Sequence, residues 1–255
     1  MLMIETHGLT KQFGSLTAVN GVNFQINKGR HSGIIGPNGS GKTTLFNLLT
    51  GYFPPTRGTI LFEGRDVTRV PIYQRVCMGM VRTFQLVSVF NTMTVWENLV
   101  LSSIRFRDEE TVAFRFFIRN IRREQIRQSC YEALGEVGLL SKASIPVSEL
   151  SYGDKRMLEI GIVLTLHPKV LLLDEPFSGL SDHEIHHVLD LIYRLKEKLT
   201  VVIIEHKISK ILGLVDRLFV MNGGCLICEG SPEEVLRNPE VRECYWGKEE
   251  SGCSR

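Results

Sequence analysis

The chain has 255 residues, of which 43% are hydrophobic and 23% charged, a balance that excludes wholesale disorder. The formal net charge is only +2, which excludes a strongly basic scaffold of the histone or ribosomal kind. Apolar runs are short, such as Val170-Leu171-Leu172-Leu173, and the first residues lack a secretory signal pattern. We therefore expect a cytosolic chain that depends on partners for any membrane-spanning part.

The elements predicted in chain order alternate between strand and helix patterns. They are strands at 2–6, 21–26 and 32–35, a helix at 43–50, a strand at 59–62, a helical region from about 95 to 145, a helix at 157–166, a strand at 170–173, a helix at 182–198, a strand at 201–204 and a helix at 207–213. Such alternation predicts a parallel sheet covered by helices.

One pair of cysteines, Cys225 and Cys228, has the Cys-x-x-Cys spacing of zinc and redox sites. The preceding Asn222-Gly223-Gly224 predicts a turn, and residues 225–228 then predict a strand. Residues three apart on a strand point to opposite faces, and no second pair lies nearby in the sequence. A structural role for both thiols is therefore favoured.

A glycine-rich loop follows the strand predicted at 32–35 and opens the helix predicted at 43–50. Residues 36–43 match the phosphate-loop pattern GxxxxGK[ST] in the strand–loop–helix context that it requires. Its backbone N–H groups and the positive end of the helix can cradle phosphates. Lys42 can reach the β- and γ-phosphates, and the Thr43 hydroxyl can bind Mg²⁺. The candidate nucleotide-binding residues are Gly36, Pro37, Asn38, Gly39, Ser40, Gly41, Lys42, Thr43 and Thr44.

A second acidic motif follows the buried strand predicted at 170–173. Asp174 and Glu175 come at its carboxyl end, where ligands bind in open α/β sheets. Asp174 is the candidate Mg²⁺ ligand, and Glu175 is the candidate general base that activates the attacking water.

Three further features make the chain resemble ATP-binding-cassette (ABC) ATPases. Residues 150–156, Leu-Ser-Tyr-Gly-Asp-Lys-Arg, resemble the signature loop of that family. Gln85 resembles its glutamine loop, which serves catalysis and Mg²⁺ binding, and His206 resembles its switch histidine. Segments 82–99, 150–161 and 229–247 are most similar to ATP-binding subunits of branched-chain amino acid importers. Closely similar subunits serve amide and urea importers.

The resemblance implies a P-loop NTPase fold with a parallel-sheet core, an N-terminal antiparallel β region and an inserted helical subdomain. A RecA-like core is expected at about 1–92 and 157–230, with the helical subdomain at about 93–156. An extra C-terminal helix is expected at about 231–247, running from Pro232 to Tyr245.

The resemblance also implies partners. In this family two cassettes pack head to tail, so Ser151 and Gly153 would contact ATP held by the other subunit. Phe13 matches the aromatic residue that stacks on adenine, although an N-terminal Phe is otherwise often a core residue. The expected partners are an identical or paralogous cassette, permease subunits at the cytoplasmic side of a membrane and, indirectly, a substrate-binding protein.

An arginine-rich stretch lies within the predicted helical region. It contains Arg105, Arg107, Arg115, Arg119, Arg122, Arg123 and Arg127, interleaved with phenylalanines. Such a stretch can indicate nucleic-acid binding or a membrane surface. A helical subdomain with a solvated basic face is the favoured interpretation, and we expect no nucleic-acid partner. The alternative function is a cassette ATPase of an assembly or nucleic-acid maintenance system without a permease.

Overall fold

The computed structural model describes residues 1–83, 89–103, 115–196, 198–206 and 208–246. These residues belong to two structural units. The first unit draws on 1–82, 169–176 and 193–255, and the second on 83–168 and 177–192.

The N-terminal part of the first unit is an antiparallel sheet. Its strands are β1 (Leu2–Phe13), β2 (Leu16–Asn27), β4 (Arg57–Phe62) and β5 (Arg65–Asp66), in the order β2-β1-β4-β5. Alternate residues Val22, Phe24 and Ile26 of β2 are buried, as expected for a strand with one face on the core. The predicted N-terminal antiparallel region is confirmed. Its strands are longer than predicted because pairing continues through several register shifts.

The second sheet of this unit is mostly parallel. Its strands are β3 (His31–Ile35), β6 (Met80–Arg82), β7 (Val170–Asp174), β8 (Thr200–Ile204), β9 (Arg217–Asn222) and β10 (Cys225–Gly230), in the order β10-β9-β3-β8-β7-β6. Only the β9–β10 pair is antiparallel. Every residue of β3, β7 and β8 is buried, which is typical of strands covered on both faces. The predicted parallel core is confirmed.

Helix α1 (Lys42–Thr50) joins the two sheets. Leu45, Phe46, Leu48 and Leu49 belong to one hydrophobic cluster with residues of both sheets. The apolar packing therefore anchors the helix whose first residue is Lys42.

The far end of α1 is capped by a buried arginine from helix α2 (Ile72–Met78). Arg75 is 1% exposed and donates hydrogen bonds to the carbonyl oxygens of Leu48 and Leu49 at 2.9 and 2.5 Å. It also donates to the carbonyl oxygens of Val70 and Thr68 at 2.9 and 3.1 Å. Burial lowers the pKa of Arg75 to about 10, so the guanidinium stays charged at neutral pH.

Replacing this arginine is expected to destabilise the unit. Arg75→Met keeps an apolar stem but removes the guanidinium donors from these carbonyl groups, which costs about 3 kcal/mol of unfolding free energy. Urea denaturation checks this value. Arg69→Met, at an exposed position nearby, is the control and should change stability by less than about 0.5 kcal/mol. Equal stability of the two variants would show that the cap contributes nothing.

The second unit is helical. Its elements are α3 (Val95–Ser103), α4 (Arg115–Glu136), short 3₁₀ helices at Leu140–Lys142 and Val147–Glu149, α5 (Tyr152–Leu164) and most of α6 (Asp182–Leu195). Buried Leu99, Leu134 and Leu158 come from α3, α4 and α5, which contact one another. The inserted helical region is confirmed. Helix α5 begins five residues before the predicted position, because the Ser151 side chain accepts the Asp154 N–H and caps it.

The C-terminal part departs from the prediction of one helix over Pro232–Tyr245. After a single helical turn, α7 (Ile208–Ile211), and the hairpin of β9 and β10, two helices follow: α8 (Pro232–Arg237) and α9 (Pro239–Trp246). Asn238 separates them in an extended conformation, because Pro239 has no N–H and restricts the residue before it. The Asn238 side chain then accepts the Glu240 N–H and starts α9.

Candidate nucleotide site

The phosphate loop is held against two neighbouring backbones. A Cβ at Gly36 would lie 2.2 Å from the Met221 carbonyl oxygen, and one at Gly41 would lie 2.3 Å from that of Ala18. Any larger residue at either position would push the loop off β9 or β2. Close contact with a neighbouring backbone therefore explains why glycine is required at these two positions. The motif alone did not give this explanation.

Lys42 lies within the loop that precedes it. Its Nζ donates to the carbonyl oxygens of Gly36 and Pro37 at 2.8 and 2.9 Å, and lies 3.4 Å from Ser40 Oγ. Burial lowers the pKa of Lys42, whereas the carboxylates of Glu175, Asp174 and Glu205 act in the opposite direction. The ammonium group is thus bound by the loop and also experiences the charge of these three acids.

The loop opens onto a cavity of about 420 Å³. Residues 38–44 and Glu175 line it, so the structure brings together most of the predicted phosphate loop and the predicted base. Its other walls are Leu16, Thr17, Ala18, Gly223 and Gly224, which sequence reasoning missed. Gly223 and Gly224 were correctly predicted as a turn. Nothing in the sequence of that turn indicates that it lies beside the phosphate loop.

Glu175 is placed in the cavity wall by an unusual backbone conformation. Its φ of 46° lies in the left-handed region, and its N–H donates to the Ile204 carbonyl oxygen at 3.0 Å. Non-glycine residues in this region carry strain of about 1–3 kcal/mol and cluster at functional sites.

Asp174, one residue earlier, is buried at the end of β7 and pairs with a cation. Its Oδ2 accepts a hydrogen bond from Arg82 at 2.5 Å, and Arg82 also donates to Asn47 Oδ1 at 2.5 Å. Arg82 thereby connects β7 to β6 and α1. Sequence reasoning missed Arg82, since nothing in its neighbours indicates a partner 92 positions away.

His206 lies beside the two acids that follow β7 and β8. Its Nδ1 is 3.9 Å from Glu175 Oε1 and 3.8 Å from Glu205 Oε2, and its side chain is 42% exposed. Glu205 Oε2 also accepts the His206 N–H at 3.0 Å. The structure therefore brings together the predicted base and the predicted switch histidine, and it adds Glu205, which was not predicted.

The predicted signature residues lie in the second unit. Ser151 is the N-cap of α5, and the Gly153 N–H donates to Glu184 Oε1 at 2.9 Å. Glu184 Oε2 accepts from the N–H and Oγ of Ser181 at 2.9 and 2.7 Å. Glu184 was also missed, although the capping-box spacing Ser181-x-x-Glu184 is readable in the sequence.

Phe13, the residue predicted to stack on adenine, is partly exposed. Phe13 is 46% exposed and packs edge-to-face on Phe53, with ring centroids 5.3 Å apart, so it is not a core residue, and it is not part of the cavity wall. Gln85 lies outside the described residues, as do Arg105 and Arg107. Arg127 stacks on Tyr131, with its guanidinium 5.6 Å from the ring centroid.

The Cys-x-x-Cys pair has the predicted turn and strand. Cys225 and Cys228 lie in β10 after the turn at 223–224, and Asn238 Nδ2 donates to Cys228 Sγ at 3.3 Å. Among the described residues no group of three or more His, Cys, Asp or Glu side chains could hold a metal ion.

In the same part of the chain, no helix combines the length and apolar character needed to cross a membrane.

The parallel sheet, the phosphate loop and the acids at the strand ends define a P-loop nucleoside triphosphatase. The model of the family described as "ABC transporter" matches residues 19–178, and that of the family described as "Branched-chain amino acid ATP-binding cassette transporter" matches 225–250. The chain therefore belongs to the ABC transporter family, as one of its ATPase cassettes.

Individual relatives match nearly the whole chain. The branched-chain amino acid transport ATP-binding protein LivG of Escherichia coli K12 is 37% identical over 96% of this chain and 98% of its own. BraF of Pseudomonas aeruginosa, with the same description, is 38% identical with the same coverage. A nucleotide-free cassette from an ABC transporter superposes with a TM-score of 0.84, at 33% identity over 97% of this chain and 100% of that one. A cassette in its ADP conformation gives 0.83, at 32% identity with the same coverage.

Proposed function

We propose that the chain hydrolyses ATP to drive an importer of branched-chain amino acids. The observation that carries the ATPase part is that the phosphate loop and Glu175 line the same cavity. The transported solute is proposed from the names of LivG and BraF and from the match of the C-terminal residues 225–250.

ATP is proposed to bind with its phosphates in the cavity. The N–H groups of residues 38–44 and the start of α1 would hold the β- and γ-phosphates, with Lys42 supplying positive charge. Phe13, exposed on the same unit, would stack on adenine. The Thr43 hydroxyl and the Asp174 carboxylate are oxygen donors of the kind that suits Mg²⁺, with Gln85 as a further ligand. Mg²⁺ bound there would neutralise phosphate charge during transfer.

Hydrolysis is proposed to use the acids at the ends of β7 and β8. Glu175 accepts a proton from water as the water oxygen bonds to the γ-phosphorus and the bond to the bridging oxygen of ADP breaks. His206, 3.9 Å from Glu175, would contact the γ-phosphate and fix the position of that carboxylate. Gln85 would help to place the water. Asp174 would hold the metal, and Arg82, which donates a hydrogen bond to Asp174 Oδ2, would help to fix the orientation of that carboxylate.

A partner cassette is proposed because the phosphate loop belongs to the first unit and the candidate signature residues belong to the second. Ser151 and the Gly153 N–H at the start of α5 would contact the γ-phosphate of ATP bound to a second cassette, identical or paralogous. Permease subunits would bind the pair at the cytoplasmic side of a membrane, with a substrate-binding protein acting on the permease. No nucleic acid is needed for this activity.

A mixing experiment tests the shared site. Ser151→Arg places a bulky cation at the signature, so this variant should bind ATP normally but lose most ATPase activity. Lys42→Ala damages the phosphate loop and leaves the signature intact. In a mixed dimer one composite site carries both defects and the other neither, so mixing two inactive proteins should restore partial ATPase activity.

Ser148→Arg is the matched control, because the same cation then lies at an exposed position three residues before Ser151. It should stay as active as wild type. If the partner is a paralogue, the same variants are tested in the hetero-complex, where Ser151→Arg should disable only the partner's nucleotide site. Full activity of Ser151→Arg in both formats would reject the shared site.

The transport assignment is tested by uptake in cells from which the chain has been deleted. Uptake of radiolabelled leucine, isoleucine and valine should fall, and wild type should restore it while Glu175→Gln should not. Urea and amide uptake are the comparison, because similar cassettes serve them. Tagged protein extracted in detergent should bring membrane-spanning subunits with it. Unchanged uptake and recovery without such subunits would instead support a cassette ATPase that has no permease.

A further inference from the structure

One carboxylate joins the signature loop to the segment that follows Glu175. Glu184 is the third residue of α6, and its Oε2 accepts from the N–H and Oγ of Ser181, forming a capping box. Its other oxygen, Oε1, accepts from the Gly153 N–H at 2.9 Å. A single acidic side chain therefore holds the first turns of α5 and α6 together.

The carboxylate is seated directly on Gly153. A Cβ built at Gly153 would lie 2.5 Å from Glu184 Oε1, so this oxygen occupies the space next to the amide. The hydrogen bonds from Ser181 are the main cause of a lowered Glu184 pKa, and the Gly153 N–H contributes, so the group is an anion at neutral pH. An anion against the N-terminus of a helix is stabilised by the helix dipole.

We propose that Glu184 is an internal substitute for the incoming phosphate: it occupies the Gly153 N–H in the isolated subunit and is displaced when the partner's ATP closes onto the signature. This inference rests on the proposed shared site. The Gly153 N–H makes one strong hydrogen bond at a time, and two anions cannot share that position without repulsion. The Ser181 contacts use the other oxygen, so α6 can keep its cap while Oε1 leaves.

The hydrogen bond between Glu184 and the Gly153 N–H would inhibit closure of two cassettes. Closure must break a charge-assisted hydrogen bond before the γ-phosphate can form its own. The contact therefore opposes closure at low ATP and raises the ATP concentration at which two cassettes pair.

The test removes the charge but keeps the shape. Glu184→Gln is made in a Glu175→Gln parent, in which hydrolysis is blocked, and pairing with its partner cassette is followed by size-exclusion chromatography across an ATP titration. A neutral amide competes less strongly for the Gly153 N–H, so half-maximal pairing should need roughly fivefold less ATP. Asp190→Asn removes an exposed carboxylate from the same helix and is the matched control, with no expected change.

A second measurement is independent of pairing. In protein labelled with ¹⁵N-glycine, the Gly153 amide resonance of the isolated subunit should move in Glu184→Gln and not in Asp190→Asn. No movement overturns the proposal, and so does pairing of Glu184→Gln at unchanged or higher ATP, which would leave Glu184 as a helix cap alone. If the Glu175→Gln parent does not pair with ATP at all, the shared-site function itself fails and the displacement falls with it.

Discussion

Glu175→Gln should lower ATP hydrolysis by a factor of about 100 or more while ATP stays bound, because positioned general bases contribute about 10²–10⁴-fold. The amide keeps the shape of the carboxylate but cannot accept the proton of the attacking water. Glu175 also lines the cavity and lies 3.9 Å from His206, so an isosteric change leaves the surroundings in place. With hydrolysis blocked, the ATP-bound pair of cassettes should accumulate. Phosphate release measures the loss, and chromatography with ATP measures the accumulation.

Glu149→Gln is the control for this variant, since it makes the same substitution at an exposed position of the second unit. It should hydrolyse ATP at the wild-type rate. Near-normal turnover in Glu175→Gln would mean that another group activates the water. Glu205, whose Oε2 lies 3.8 Å from His206, would then be the next residue to replace.

Lys42→Ala should weaken nucleotide binding itself, by roughly 10- to 100-fold, because charge-assisted hydrogen bonds to an anion contribute about 1.5–3 kcal/mol. The Lys42 ammonium donates to the carbonyl oxygens of Gly36 and Pro37, so its side chain lies within the phosphate loop. Titration with a fluorescent ATP analogue measures the loss.

Lys28→Ala, in the exposed turn between β2 and β3, is the control and should bind the analogue like wild type. Circular dichroism checks that Lys42→Ala is folded, since the substitution removes donors from two loop carbonyls. Unchanged affinity in a folded Lys42→Ala protein would place the nucleotide somewhere other than this loop.

Short sequence motifs predicted the local structure correctly where the residues of the motif are adjacent in the chain. The loop at 36–43 predicted its strand and helix, because glycine spacing and the change from strand to helix periodicity are local properties. The run before Asp174 predicted a buried strand for the same reason. The C-terminal break was also readable, since Pro239 forbids a continuous helix, but the prediction of one helix over Pro232–Tyr245 overlooked it.

The amino-acid order by itself thus determined the phosphate loop, the strand and helix that flank it, and the position of the two acids at the end of a buried strand. Only the tertiary structure decided which side chains meet across long separations. Arg82 reaches Asp174 because β6 and β7 are neighbours in the sheet, and Gly223 joins the cavity because β9 lies beside β3. Glu184 reaches Gly153 through space, although its capping partner is only three residues away. Such contacts depend on strand order and helix packing, which no short window of sequence contains.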